Sequence, residues 1–201
     1  MGYKLLAIPS IIVVLLFSPS LNKEVSSMAA LHITSPAFQN NGSIPRQYTC
    51  DGKDISPPLV IENVPAETKS IALICDDPDA SIGTWVHWVL WNIDPTTKEI
   101  AEDAVPKRCV EGTNDFKRHA YGGPCPPSGT HRYFFKVYAL DTMLDISPNS
   151  TKSALEKAMK GHILAEGRII GLCIQSKVQF SCSLAEKPYH FSIKGADQFI
   201  H

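Results

Sequence analysis

Three short stretches hold the residues best suited to chemistry: Asp76-Asp77-Pro78-Asp79-Ala80, Trp85-Val86-His87-Trp88 and Gly129-Thr130-His131-Arg132-Tyr133. A carboxylate accepts hydrogen bonds, an imidazole gives or takes a proton near neutral pH, and a phenol donates without carrying charge. Together they suit the capture of an anion. An imidazole and a tyrosine hydroxyl donate to its oxygens, while an aspartate behind an imidazole orients the ring and raises its basicity. An aspartate could equally meet an ammonium group, so a zwitterionic head group would satisfy both signs. Taken singly, each residue has a plainer use: Asp77 and Asp79 flank Pro78 as in an ordinary turn, and either histidine could be a hydrogen-bonded core residue. The combination is what points to a site. No G-x-S-x-G elbow, P-loop or H-E-x-x-H motif accompanies it, so a binding protein without catalytic residues is expected. A metal-dependent hydrolase built on His87, His131 and an aspartate is the enzymatic alternative.

The elements that must position these residues are short strands separated by turn clusters, as in a mainly antiparallel β domain. The strands expected are Ser70 to Cys75, Trp85 to Ile93, Tyr133 to Leu140 and Ile163 to Cys173. The first is continuously apolar, which places it centrally and covered on both faces. All three chemical stretches lie at strand ends, where loops converge on a rigid scaffold. Alternation pairs Trp85 with His87 on one face and Val86 with Trp88 on the other; it likewise pairs His131 with Tyr133 and turns Arg132 away. Tyr121-Gly122-Gly123-Pro124-Cys125-Pro126-Pro127-Ser128-Gly129 reads as a stiff pocket wall. One helix is expected from the capping-box spacing of Ser153 and Glu156, a shared face of Leu155, Ala158, Met159 and His162, and a stop at Gly161. Lys107, Arg108, Lys117 and Arg118 read as a solvated loop, and His119 and His162 as structural.

These motifs, with Tyr48-Thr49-Cys50-Asp51-Gly52, Ser56-Pro57-Pro58-Leu59 and Gly161-His162-Ile163-Leu164-Ala165, resemble the phosphatidylethanolamine-binding proteins. These are also called Raf-kinase-inhibitor-like proteins, and the details are similar to the prokaryotic YbhB/YbcL branch. The resemblance covers roughly Leu31 to Ile174. It implies a mainly β (α+β) fold, an antiparallel β-sandwich with a few short helices, and a pocket for phosphate, acetate or a phosphoethanolamine head group. The ligand-binding residues it implies are Asp77, Asp79, Trp85, His87, Gly123, Pro124, His131 and Tyr133. Ser81 stands where the family usually has proline, which implies a looser turn. Relatives also imply a second reading, an inhibitor or regulator of a kinase or hydrolase acting through a protein surface.

The 201 residues suit one domain, taken as 28–174, with 44% hydrophobic and 19% charged residues enough to form a packed core. A formal net charge of -1 removes the general attraction that drives nucleic-acid binding, so anion recognition must be local. Residues 1–27, with Lys4 before the apolar run Leu5 to Phe17, have the layout of a secretory signal, too short and too interrupted by Pro9 for a permanent span. A periplasmic or secreted protein is therefore expected, or a cytoplasmic one if Met28 is the true start. The six cysteines show no C-x-x-C or zinc-finger spacing, so no metal or other cofactor is expected. In an exported chain, Cys50 and Cys125, both in Gly/Pro-rich loops of the family-like region, are the first candidates for a disulfide. Residues 175–201 lie beyond the resemblance, and their alternation reads as an added hairpin.

Overall fold

A computed structural model describes residues 29–175, so the export signal and the C-terminal hairpin expected above lie outside the described residues. The larger sheet runs in the order β1 (Ala29–Ala30), β10 (Ile163–Gln175), β9 (Gly129–Leu140), β5 (Ser70–Asp77), β6 (Trp85–Ile93) and β8 (Val110–Glu111). Strand β3 (Gly42–Ser43) also pairs with β10, while β2 (His32–Thr34), β4 (Leu59–Glu62) and β7 (Glu99–Ile100) form a second sheet. Each of the long strands β10, β9, β5 and β6 is antiparallel to its neighbour in that order.

Strand β5 is central because Ile71–Cys75 form an unbroken apolar run, and every residue of the strand is buried. Alternation divides it between two cores. Ile71, Leu73 and Cys75 pack with Leu59, Ile61 and Ile100 of the smaller sheet, whereas Ala72 and Ile74 pack with Leu155 and Met159 of helix α1 (Lys152–Met159). The result is smaller sheet, larger sheet and helix in three layers.

The strict alternation expected of Trp85 to Trp88 fails at a β-bulge. Cys75 pairs with Trp88 and Asp76 with Val86, which leaves His87 as the extra residue. Trp88 therefore joins the core between the sheets and Val86 the core beneath the helix, instead of sharing a face. The helix also departs from expectation. Thr151 precedes it without a side-chain cap bond, and Ser153 lies inside it, so Ser153 and Glu156 form no capping box. Its start is fixed by a tether: Lys152 Nζ donates to Asp76 Oδ2 at 2.6 Å, beside Lys136 Nζ at 2.8 Å. Gly161, at φ +85, turns the chain after the helix, and His162 lies outside it, bonded to Asp141 at 2.8 Å.

Candidate functional site

Strand β5 extends through Asp77, so Asp76 and Asp77 occupy the strand itself and face opposite sides of the sheet. Asp76 is the buried anchor for Lys136 and Lys152. Asp77 faces the other way, where its Oδ2 accepts from His131 Nδ1 at 2.7 Å and its Oδ1 accepts from the Asp79 amide at 2.8 Å. Strand β9 supplies His131 and Tyr133, both buried, from alternate positions. Strand β6 brings His87 through its bulge, with its ring edge-on to Tyr133 at a centroid distance of 5.1 Å. Three adjacent strands thus deliver one aspartate, two imidazoles and one phenol to a single point.

These groups line a cavity of about 270 Å³, with Trp85, Phe116 and Pro126–Pro127 as apolar walls and Ala80–Ile82 on the remaining side. Larger clefts, of about 450 Å³ beside Lys136 and Arg168 and about 560 Å³ beside Val60 and Lys98, lack any such convergence of titratable aromatic groups. Size is therefore a poor guide to the site in this molecule, and side-chain chemistry a better one.

The electrostatics divide the donors from the acceptors. His87 Nδ1 lies 2.5 Å from the Gly122 carbonyl, a contact that requires a proton on Nδ1. Burial holds the His87 pKa below the usual imidazole value, so the ring is neutral near pH 7 and its Nε2 is an acceptor. The Tyr133 hydroxyl is raised strongly, first by burial and then by the nearby Asp77 charge, and remains a protonated donor. Asp77 fixes His131 with Nδ1 inward; Nε2 then donates to a ligand when the ring carries both protons and accepts when it carries one.

Of the residues implied by sequence, Asp77, Trp85, His87, His131 and Tyr133 line the cavity, whereas Asp79, Gly123 and Pro124 do not. Asp79 is engaged by Arg132, whose Nε and Nη2 donate to it at 2.8 and 2.6 Å while the Arg132 amide donates at 2.9 Å. That clasp holds its carboxyl down to about 2. Each oxygen of Asp77 and Asp79 already accepts a protein hydrogen bond, so a ligand ammonium would share a carboxylate oxygen with a protein donor through its second lone pair. Gly123 acts behind the wall. Its amide donates to Asp54 at 2.6 Å, and a Cβ there would stand 2.7 Å from the Tyr48 carbonyl, so only glycine lets the loop seat. The Pro124 carbonyl accepts from the Cys50 amide at 3.0 Å. Phe116 is the residue that sequence reasoning missed. It stands edge-on to Trp85 and His87 at 5.4 Å each, and a lone aromatic amid Asn114-Asp115 and Lys117-Arg118 was its available signal.

Similarity to known proteins bears on this arrangement. The sequence model described as phosphatidylethanolamine-binding protein matches residues 34–174. A UPF0098 protein of Methanothermobacter thermautotrophicus is 50% identical over 147 residues, 71% of this chain and 97% of that protein. The crystal structure of a phosphatidylethanolamine-binding protein homologue from Chlamydia trachomatis superposes with a TM-score of 0.70 at 41% identity, covering 73% of this chain and 99% of that one. E. coli YbcL, described as a member of the mammalian PEBP family, superposes with a TM-score of 0.69 at 30% identity, covering 74% of this chain and 100% of its own.

Proposed function

The chain belongs to the phosphatidylethanolamine-binding protein family, and from that premise we propose that it captures a small phosphorylated or carboxylated ligand in the cavity floored by Asp77, His87, His131 and Tyr133. The observation that carries this reading is the Asp77–His131 pair beside a protonated Tyr133 and a neutral His87, all on one small cavity. Donors and an acceptor of this kind match the oxygens of a singly protonated phosphate. The Arg132 clasp commits Asp79 to a protein cation, which leaves Asp77 as the carboxylate that lines the cavity. Capture without turnover is the proposed activity; product formation on a phosphoesterase panel, with stoichiometric metal in the purified protein, would replace it with the hydrolase alternative.

Titration calorimetry of inorganic phosphate and phosphoethanolamine tests the site. Asp77→Ala and His87→Ala are expected to weaken binding by about 1–3 kcal/mol, the scale of a hydrogen bond to a charged partner, and Tyr133→Phe by less. Arg132→Ala, which removes the clasp on Asp79 outside the cavity, is expected to act only indirectly. If Asp77→Ala and His87→Ala proteins, folded by circular dichroism, bind both anions as the unmodified chain does, the pocket assignment is wrong. The inhibitor reading then becomes the better one.

We also propose export. The Leu5 to Phe17 run supports it, as does the pairing of Cys50 with Cys125, a bond favoured in oxidising compartments. N-terminal sequencing is expected to find a mature start between about Leu21 and Ala29; an intact Met1 on soluble cytosolic protein would reject it.

A further inference from the structure

Cys125 belongs to two structures at once: it lines the cavity, and it is joined to Cys50. The wall around it is unevenly fastened. Up to Pro124 the loop is tied down by the Tyr121 hydroxyl to the Tyr48 carbonyl, the Gly122 amide to the His87 carbonyl, the Gly123 amide to Asp54, and the Pro124 carbonyl to the Cys50 amide. From Cys125 to Ser128 there is no hydrogen bond to the body among the described residues, and Pro126 and Pro127 have no amide to offer. The chain is held again only where β9 begins at Gly129. The disulfide is thus the one covalent tie of the segment that forms the proline wall.

Both cysteines are exposed. We propose that Cys50–Cys125 is a redox modification site, and that its reduction by a dithiol loosens the Cys125–Ser128 wall and weakens ligand capture. One thiolate of the dithiol attacks a sulfur of the bridge and forms a mixed disulfide; its second thiol resolves this, leaving an oxidised dithiol. The two electrons pass to the protein sulfurs, and the two protons of the dithiol end on the Cys50 and Cys125 thiols. Cys75 is buried, and burial pushes the Cys109 and Cys173 thiols up to about 11, so these three carry little thiolate to compete for the bridge. Asp77, His87, His131 and Tyr133 stand on strands and keep their places when the wall loosens; what is lost is the preorganised side of the cavity.

This inference rests on the anion-pocket reading, and its test separates the two. Oxidised protein, protein reduced with dithiothreitol, and Cys50→Ser protein, each folded by circular dichroism, are titrated with phosphoethanolamine, and backbone amide order parameters at Cys125 and Ser128 are followed by NMR. Reduction is expected to raise the dissociation constant by about tenfold, the scale for ordering one or two wall residues on binding. It is also expected to lower both order parameters, Cys50→Ser should match the reduced protein, and reoxidation should restore the first state. Equal affinity with unchanged order parameters, or a bridge that resists dithiothreitol in the folded protein, overturns the proposal. If the oxidised protein binds no phosphoethanolamine, the pocket reading fails, and the order parameters alone decide whether the bridge holds the wall.

Discussion

His87 and His131 divide the work of the proposed anion site by what stands behind each ring, a carbonyl for one and a carboxylate for the other. In the proposed capture, neutral His87 takes a proton from its ligand, and the share of a phosphate monoester that still carries one falls about tenfold per pH unit above its second pKa of about 6. Phosphoethanolamine affinity is therefore expected to fall by up to about fiftyfold between pH 6 and 8, whereas His87→Ala should flatten the profile, both read by calorimetry. The same burial has a consequence for stability. The folded His87 pKa lies below its ordinary value near 6.5, so the unfolded chain binds the proton more readily, and stability present above about pH 6.5 declines as pH falls. Urea unfolding at pH 7 and pH 5 is expected to show a larger loss for the unmodified protein than for His87→Gln, in which no ring has to be kept neutral.

At the scale of elements, β5 fastens both of its faces with consecutive residues. Asp76 is fully buried, with Oδ2 shared by Lys136 and Lys152 and Oδ1 without a partner among the described residues. Replacing both lysines by methionine leaves that carboxylate uncompensated and is expected to cost about 3–5 kcal/mol in urea unfolding. Either replacement alone should cost less, and adding Asp76→Asn to the double variant should recover part of the loss. The strands themselves were legible because apolar run and alternation report burial directly, and the three strand-end motifs carried Asp77, His87, His131 and Tyr133 to one place. The failures share a cause. Whether Asp79 meets a ligand or Arg132 is decided by side chains more than 50 residues apart, and a bulge at His87 depends on register with β5. Phe116 comes from an irregular loop shaped by Asn114 and Asp115, which carries no periodic pattern to read.

For the molecule as a whole, the disulfide spans a sequence separation of 75 and closes a loop containing β4, β5, β6, β7 and β8. Chain-entropy arguments put such a cross-link at about 4 kcal/mol, an upper bound because the unfolded chain retains some structure. Reduction is expected to lower the urea midpoint by a corresponding amount while leaving circular dichroism in buffer unchanged. The bridge was legible as a pair from its Gly/Pro-rich surroundings; its place on the cavity wall was not, since that depends on how the loop crosses β6 and β9. The division between a floor on strands and a wall on loops also governs time. With Asp77, His87, His131 and Tyr133 already standing on β5, β6 and β9, no rearrangement has to precede contact, so the anion of the proposed capture is expected to associate at a rate set by diffusional encounter with the mouth. Discrimination among ligands then lies in residence time, in how long each is kept once it has entered.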